Sequence, residues 1–443
     1  MRISILHLLP VLLFQPALGQ APPSHKTSPV KNVILLIGDG MGDSEITIAR
    51  NYQYGAAGRL EMDALPFTGT ATTYSLIETD PAKINYVTDS AAGGTAWATG
   101  VKTSNGRIST EVGTNKPLPT ILEVARQLGL RTGNITTAEI TDATPAVLAS
   151  HVSSRSCQDP ADMKSCAAER KSQGGPGSIA EQLVDHHVDV LMGGGRQRFE
   201  PKIEGGKYDG KTVLEAAEAE GYRIIETASE LSSLPPGSKV LGLFNSGNMS
   251  LEWKGDPAIA FPGSGPQKCQ EFQRPSKEPG LPEMTLGALK LLTAGQSAPG
   301  FFLQIEGAQI DKADHAAHPC EQIGETIAFD NAVKLALDFA HAHPDTLVIV
   351  TADHGHTSQI VPAVTGNEND HPAGMMSTLT TADKSPMTIA YSTNAVCCST
   401  GHSMEHTGVQ VRVAAFGPGG QEVSGTHDMT DVYHLIARAI GSK

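Results

Sequence analysis

Apolar runs that stop at glycine-rich turns recur along this chain. The first is Val33 to Ile37 in KNVILLIGDGMG, five apolar residues followed by a turn. A short unbroken apolar run bounded in this way reads as a strand buried on both faces of a parallel sheet. The design returns near Asn134 to Thr137, over Val188 to Gly195, in GFFLQIEGAQ ending at Glu306, in DTLVIVTADHGH ending at Asp353 and His354, and over Val411 to Gly419. Between these runs the period lengthens. LPTILEVARQLG, GSIAEQLVDHH, PEMTLGALKLLT, CEQIGETIAFDNAVKLALDFAHAH and TDVYHLIARAI carry apolar residues three and four apart, as amphipathic helices do. VTDSAAGGTAWATG, Val87 to Gly100, lacks proline and is rich in alanine, which predicts a helix beginning at or near Ser90. Alternating strands and helices predict an α/β fold. Its core is a large, mainly parallel sheet flanked by helices on both faces and linked by right-handed crossovers. Residues 200–282 and 358–405 are richer in Gly, Pro and Ser. They are expected to leave the sheet as loops, with 358–405 as a cap or subunit-interface insertion in a single domain over 31–443.

Composition adds limits. The chain has 443 residues, 39% of them hydrophobic, enough for a large core. Its formal charge of −14 argues against nucleic acid or an anionic membrane as partner. An anionic substrate would need local bases or bound cations. Residues 1–19 read as a secretory signal: Arg2, an apolar core from Ile5 to Phe14, and Ala17-Leu18-Gly19 as a cleavage site. Residues 20–30, rich in Pro and Ser, are expected to form a mobile arm. No apolar run is long enough to anchor the chain in a bilayer. Export makes disulfides the expected state of the six cysteines at 157, 166, 269, 320, 397 and 398. Cys157 and Cys166 flank a short polar loop and form a natural local pair. Adjacent Cys397 and Cys398 bridge each other, pair elsewhere or stay free.

The chemistry lies at strand ends. Asp39, Glu306 and Asp353 each close a predicted strand. In an open parallel sheet, ligands bind at the carboxyl ends of the strands, so these acids belong on one rim. Gathering carboxylates is costly unless cations join them. Asp311 and His315 lie four apart on one helix face, His354 follows Asp353, His356 comes two residues later, and His406 precedes the last strand. Mixed His and Asp suit zinc, whereas a carboxylate with a hydroxyl, as in Asp142 and Thr144, suits magnesium. His186, His187, His341 and His343 read as ordinary surface residues. Asp89 or Ser90 is a natural helix cap, and a helix start also favours an anion. Arg155 is either a surface base or a two-pronged clamp on a tetrahedral oxyanion, steered by Asp89.

Taken together, IGDGMG, TDSAAGGTAWATG, DATPAVLASHVSSR, IEGAQIDKADHAAH, VTADHGH and EHTG resemble alkaline phosphatase of the bacterial periplasmic type, from about residue 31 to residue 443. The resemblance implies hydrolysis of phosphate monoesters at alkaline pH, with two zinc ions and one magnesium, by an exported homodimer. It implies Ser90 as the nucleophile that becomes phosphoserine. Asp39, Asp353 and His354 would hold one zinc; Asp311, His315 and His406 the other. Asp39, Thr144 and Glu306 would hold magnesium, with Asp142 acting through water. Arg155 would clamp phosphate, Lys312 would reach it through water, and His356 would stand behind the zinc ligands. The family's cysteine pattern implies Cys157–Cys166 and Cys269–Cys320 and places no partner for Cys397 or Cys398. The nearest alternatives are a sulfatase, whose Cys/Ser-x-Pro-x-Arg motif is absent, and a diesterase, which usually has Thr at the Ser90 position. A binding protein without turnover would have no use for the nucleophile.

Overall fold

The computed structural model describes residues 30–293, 299–363, 372–398 and 401–442. The expected leader at 1–19 and nearly all of the arm at 20–30 lie outside these residues. Ten strands form the main sheet: β1 (Asn32–Gly38), β2 (Phe67–Thr72), β3 (Arg131–Glu139), β4 (Val190–Gly194), β5 (Arg223–Ile225), β6 (Val240–Leu243), β7 (Phe301–Gly307), β8 (Thr346–Ala352), β9 (Val411–Phe416) and β10 (Gly425–Asp428). Across the sheet the order is β10-β2-β9-β8-β1-β7-β3-β4-β6-β5. Pairing is parallel throughout except where β9 meets β8 and β2. Every residue of β1, β7 and β8 is buried, as a strand covered on both faces requires.

Eleven α-helices occur among the described residues: α1 (Asp43–Tyr54), α2 (Ser90–Thr99), α3 (Ile121–Gln127), α4 (Ala143–Ala149), α5 (Ile179–Asp185), α6 (Val213–Ala219), α7 (Ala228–Ser233), α8 (Leu281–Leu292), α9 (Gln309–His315), α10 (Pro319–Ala342) and α11 (Thr430–Ala439). None of the described helices is long and apolar enough to cross a membrane. The large mainly parallel sheet with its helices is the α/β fold that the alternating pattern predicts.

Two expectations change. The stretch 200–282 is not wholly an excursion, because β5, β6, α6 and α7 fall inside it and extend the main sheet. These strands are three or four residues long, too short to show a period. A second sheet stands apart from the first. Its strands run in the order Ser264–Gln267, Met375–Thr380, Pro386–Tyr391, Ser358–Val361, so residues 358–405 supply three of the four. Disulfides join Cys157 to Cys166, Cys269 to Cys320 and Cys397 to Cys398. The last pair lies beside α9: both sulfurs are 3.7 Å from the carbonyl oxygen of His315.

Candidate active site

The central strands β8, β1, β7 and β3 end together, and each hands the chain to a polar residue. Asp39 follows β1, Glu306 is near the end of β7, and Asp353 follows β8. The turn after Asp39 needs a glycine: Gly40 has φ 66°, and a Cβ there would lie 3.1 Å from the Asp311 side chain. The Gly40 amide donates to Asp353 Oδ1 at 3.2 Å, locking two of the acids together.

Ser90 is the first residue of α2, and Asp89 is its cap. Asp89 Oδ1 accepts from the Ala92 amide at 2.9 Å, so the capping role falls to Asp89 and the serine hydroxyl is spared it. The hydroxyl instead points at the acids, with Ser90 Oγ 3.3 Å from Asp39 Oδ1 and 3.1 Å from His354 Nε2. All ten residues of α2 are buried, and those from Ser90 to Ala96 are small enough for the helix to seat closely. A Cβ on Gly93 would fall 2.6 Å from the Asp353 carbonyl oxygen. The helix that presents Ser90 therefore touches the strand end that presents Asp353.

Two groups of ligand-type atoms converge here. Asp39, Asp353 and His354 form one; Asp311, His315, His356 and His406 form the other, and within each group the atoms lie within 4.8 Å of one another. His354 Nε2 is 3.3 Å from Asp39 Oδ1 and 3.6 Å from Asp353 Oδ2. In the second group, His315 Nε2 and His406 Nε2 are 3.0 Å apart. They stand 3.4 and 3.2 Å from the Asp311 oxygens. The Nδ1 atoms of these two rings face the carbonyl oxygens of Met404 and Thr88. A carbonyl only accepts, so each Nδ1 carries a proton and the two Nε2 atoms are turned toward each other and toward Asp311. His356 is oriented the opposite way. Its Nδ1 accepts from the Thr357 amide at 2.9 Å, which leaves Nε2–H facing Asp311 Oδ1 at 3.3 Å. Neither Nε2 nor Oδ1 completes a hydrogen bond, but the ring's orientation suits a donor to the carboxylate better than a ligand. Burial pushes its pKa down to about 4, which keeps the ring neutral.

The third constellation is made of oxygens. Glu306 Oε2 accepts from the Thr136 hydroxyl, from the residue in register with it on β3. Burial, reinforced by Asp39 and then by Asp142 and Asp353, pushes the Glu306 carboxyl well above its usual range. Burial and the charges of Asp39 and Asp311 do the same to Asp353. Asp142 stands at the N-cap position of α4 without a capping bond from its side chain, and Thr144 lies in the first turn. Burial opposes the charged form of Asp142, but Lys312 and Arg155 outweigh it and hold the carboxyl low. Lys312 Nζ sits 2.6 Å from Asp142 Oδ2. Arg155 reaches Asp89 Oδ2 at 3.4 Å and Asp142 Oδ1 at 3.7 Å.

Asp353 Oδ2 and Thr144 Oγ1 are buried and find no hydrogen-bond partner in the protein. Buried polar groups are rarely left so, and clustered acids resist ionisation without cations. Divalent metal ions answer both demands, and this donor set of carboxylates, imidazoles and a hydroxyl suits them.

All the predicted site residues thus fall at the carboxyl edge of the sheet. Sequence reasoning missed Thr136, the backbone carbonyls that orient His315 and His406, and Gln158, whose amide approaches Asp142 at 3.5 Å. Thr136 becomes visible only once β3 and β7 are known to be neighbours. The remaining two carry no local signal.

The chain is similar to known proteins. The sequence model of the alkaline phosphatase family matches residues 30–404. Streptomycin-6-phosphate phosphatase of Streptomyces griseus is 49% identical over 97% of this chain and 95% of its own length. The alkaline phosphatase of Escherichia coli strain K12 is 46% identical over 94% of this chain and 87% of its own. Among solved structures, the alkaline phosphatase of the Antarctic bacterium TAB5 superposes with a TM-score of 0.68 at 26% identity, covering 94% of this chain and 99% of that one. A variant of that enzyme, solved with Mg bound in its M3 site, superposes with a TM-score of 0.67 at 26% identity and the same coverage. Fold, site and these likenesses define a phosphoric-monoester hydrolase. The chain belongs to the alkaline phosphatase family.

Proposed function

We propose that this enzyme hydrolyses phosphate monoesters at alkaline pH through a phosphoserine at Ser90. The observation that carries the reading is the position of the Ser90 hydroxyl. It stands at the start of α2, within 3.3 Å of Asp39 and His354, beside the cap residue that holds Arg155. Arg155 draws in the dianionic phosphate and grips two of its oxygens, while Asp89 fixes the guanidinium plane. The positive end of the α2 dipole favours the same charge. Ser90 Oγ, as alkoxide, attacks phosphorus; the new O–P bond forms as the ester O–P bond breaks, and the alcohol leaves with a proton from water. A water molecule then attacks the phosphoserine, freeing inorganic phosphate and restoring the serine.

The residues present fit two zinc ions, one held by Asp39, Asp353 and His354 and the other by Asp311, His315 and His406. They also fit a magnesium at Asp39, Thr144 and Glu306, with Asp142 acting through water. The Mg bound in the M3 site of the TAB5 variant supports the third ion. When bound, these cations neutralise charge and ease the ionisation of the Ser90 hydroxyl. Lys312, tied to Asp142, is placed to meet phosphate through water, and His356 to hold Asp311 in position.

The test is Ser90→Ala. It should lower kcat by about a thousandfold or more, leave metal content unchanged, and abolish the phosphoserine trapped by acid quench. A variant with near-wild-type turnover would refute the mechanism.

A narrower substrate is a second reading, favoured by the 49% identity to a streptomycin-6-phosphate phosphatase and by the charge of −14, which suits a cationic alcohol. Comparing kcat/KM on streptomycin 6-phosphate and on an uncharged aryl phosphate decides between them. We further propose export to the periplasm directed by residues 1–19, supported by the disulfide-bonded cysteines. Residues 358–405 are proposed to contribute the cap or contact surface of a homodimer built from single domains over 31–443.

A further inference from the structure

Three side chains well separated in sequence meet on the far side of α4 from the rim. Glu123 lies in the first turn of α3, His151 just beyond α4, and His186 at the end of α5. His151 Nε2 stands 3.2 Å from Glu123 Oε1, and His186 Nε2 stands 3.1 Å from the same oxygen. The two rings meet edge to face, with centroids 5.7 Å apart.

The other nitrogens decide what this meeting is. His151 Nδ1 lies 2.9 Å from the Ser109 carbonyl oxygen, and His186 Nδ1 lies 2.9 Å from the Gln182 carbonyl oxygen. Each Nδ1 must therefore donate, and each neutral ring presents a bare Nε2 lone pair to a carboxylate oxygen. Three lone-pair atoms converging on one point repel unless something positive joins them. Two protons would do so only by making both rings cationic around one carboxylate, in a place where His151 is 8% exposed. One divalent cation does so with both rings neutral. An Nδ1–H held by a backbone carbonyl is also the usual way a ligating histidine is oriented. The spacing agrees: neighbouring ligands of a tetrahedral zinc lie about 3.3 Å apart. Glu123 Oε2 is already engaged, accepting from the Thr120 amide at 2.8 Å, which leaves Oε1 to point at the rings.

We propose that Glu123, His151 and His186 form a further binding site for a zinc-like divalent cation, separate from the catalytic centre, with a fourth position left to water. The site ties the first turn of α3 and the end of α5 to the segment that leads, four residues on, to Arg155. Burial would raise the Glu123 carboxyl, yet the two imidazoles hold it well below the usual range, so the carboxylate is ionised and ready for a cation. Glu123 also holds His186 above the usual imidazole value against burial, so a proton competes with the metal ion for that ring.

The experiment compares the zinc-loaded wild type with His186→Ala, a half-buried position outside the catalytic rim. The wild type should bind one more equivalent of zinc per chain after equilibrium dialysis, with phosphomonoesterase activity in the variant within about twofold of normal. A crystal of the wild-type protein grown with zinc should show an anomalous peak at the zinc edge within bonding distance of the three atoms. That second measurement stands even if the variant fails to fold. Equal zinc content in the two folded proteins, or no peak between Glu123, His151 and His186, overturns the proposal and leaves a doubly protonated histidine pair on a carboxylate.

Discussion

The two ends of the same sheet are built on opposite principles. At the amino ends of the strands every acid has its base. Asp189, just before β4, takes the Arg131 guanidinium at 3.2 Å and the Thr132 amide at 2.9 Å. Asp345, just before β8, meets Lys31 at 2.8 Å. Asn32 of β1 donates to the Thr346 hydroxyl on β8 at 3.1 Å. At the carboxyl ends the acids outnumber their bases. Asp39, Glu306, Asp311 and Asp353 crowd together, and Asp353 keeps a buried oxygen with no partner. One end is complete as polypeptide; the other is completed only by ions from outside. A fold can hold a catalytic site in this way because the satisfied end and the apolar strands between support the unsatisfied one.

Removing the cations attacks the difference directly and should have the largest effect. A chelator should abolish phosphomonoesterase activity, and zinc with magnesium should restore it; full activity in a sample shown to be metal-free would erase the distinction between the ends. Arg155→Ala, which removes the guanidinium that meets Asp89 and Asp142 at the carboxyl edge, should cost about a hundredfold to a thousandfold in kcat/KM, on the scale of losing a charge-stabilising donor. Little change would mean that Arg155 does not hold the substrate.

An acid remote from both ends tests a third solution. Glu325 of α10 is pushed up to about 8 by burial first and then by Glu252. The folded chain therefore keeps this proton after the unfolded chain, with its ordinary value of 4.5, has released it. A raised acid makes stability fall as pH rises from the unfolded value to the folded one. Glu325→Gln removes that loss, so its Tm should match wild type near the low end of the window and exceed it by a growing margin toward pH 8. A margin that does not grow would show that the carboxyl is not held neutral. The smallest effect belongs to the amino ends. Asp189→Asn should lower stability by about 1–2 kcal/mol, the worth of one charge-assisted bond, and leave kcat unaltered, as denaturant melts and rate assays would show.

The central sheet was legible in the chain because β1, β4, β7, β8 and β9 are apolar runs that end in turns, while β3, RTGNITTAE, showed itself only as a short β-branched stretch near Asn134 to Thr137. β2, β5, β6 and β10 were not. β10 is half exposed, β2 alternates without a strong apolar face, and β5 and β6 are too short to show a period. The acids of the site were legible as strand ends. Which histidine meets which acid was not, since His406 reaches Asp311 from 95 positions away, a pairing fixed by topology alone. His186 shows the same limit from the other side. It reads as an ordinary surface residue in its own neighbourhood and becomes a half-buried partner of Glu123 only when α3 and α5 pack around the end of α4.

The contact at Gly93 has a consequence for anyone who would redesign this enzyme. With no room for a single methyl between α2 and the backbone of Asp353, the gap between Ser90 and Asp353 is not an adjustable dimension. Selection for new substrates cannot widen the site from its floor. Variation has to come from side chains that do not seat α2, such as Tyr86, four residues before Ser90 and 77% exposed. A library aimed at such exposed positions should keep its members folded and active; one aimed at Gly93 should yield mostly dead clones.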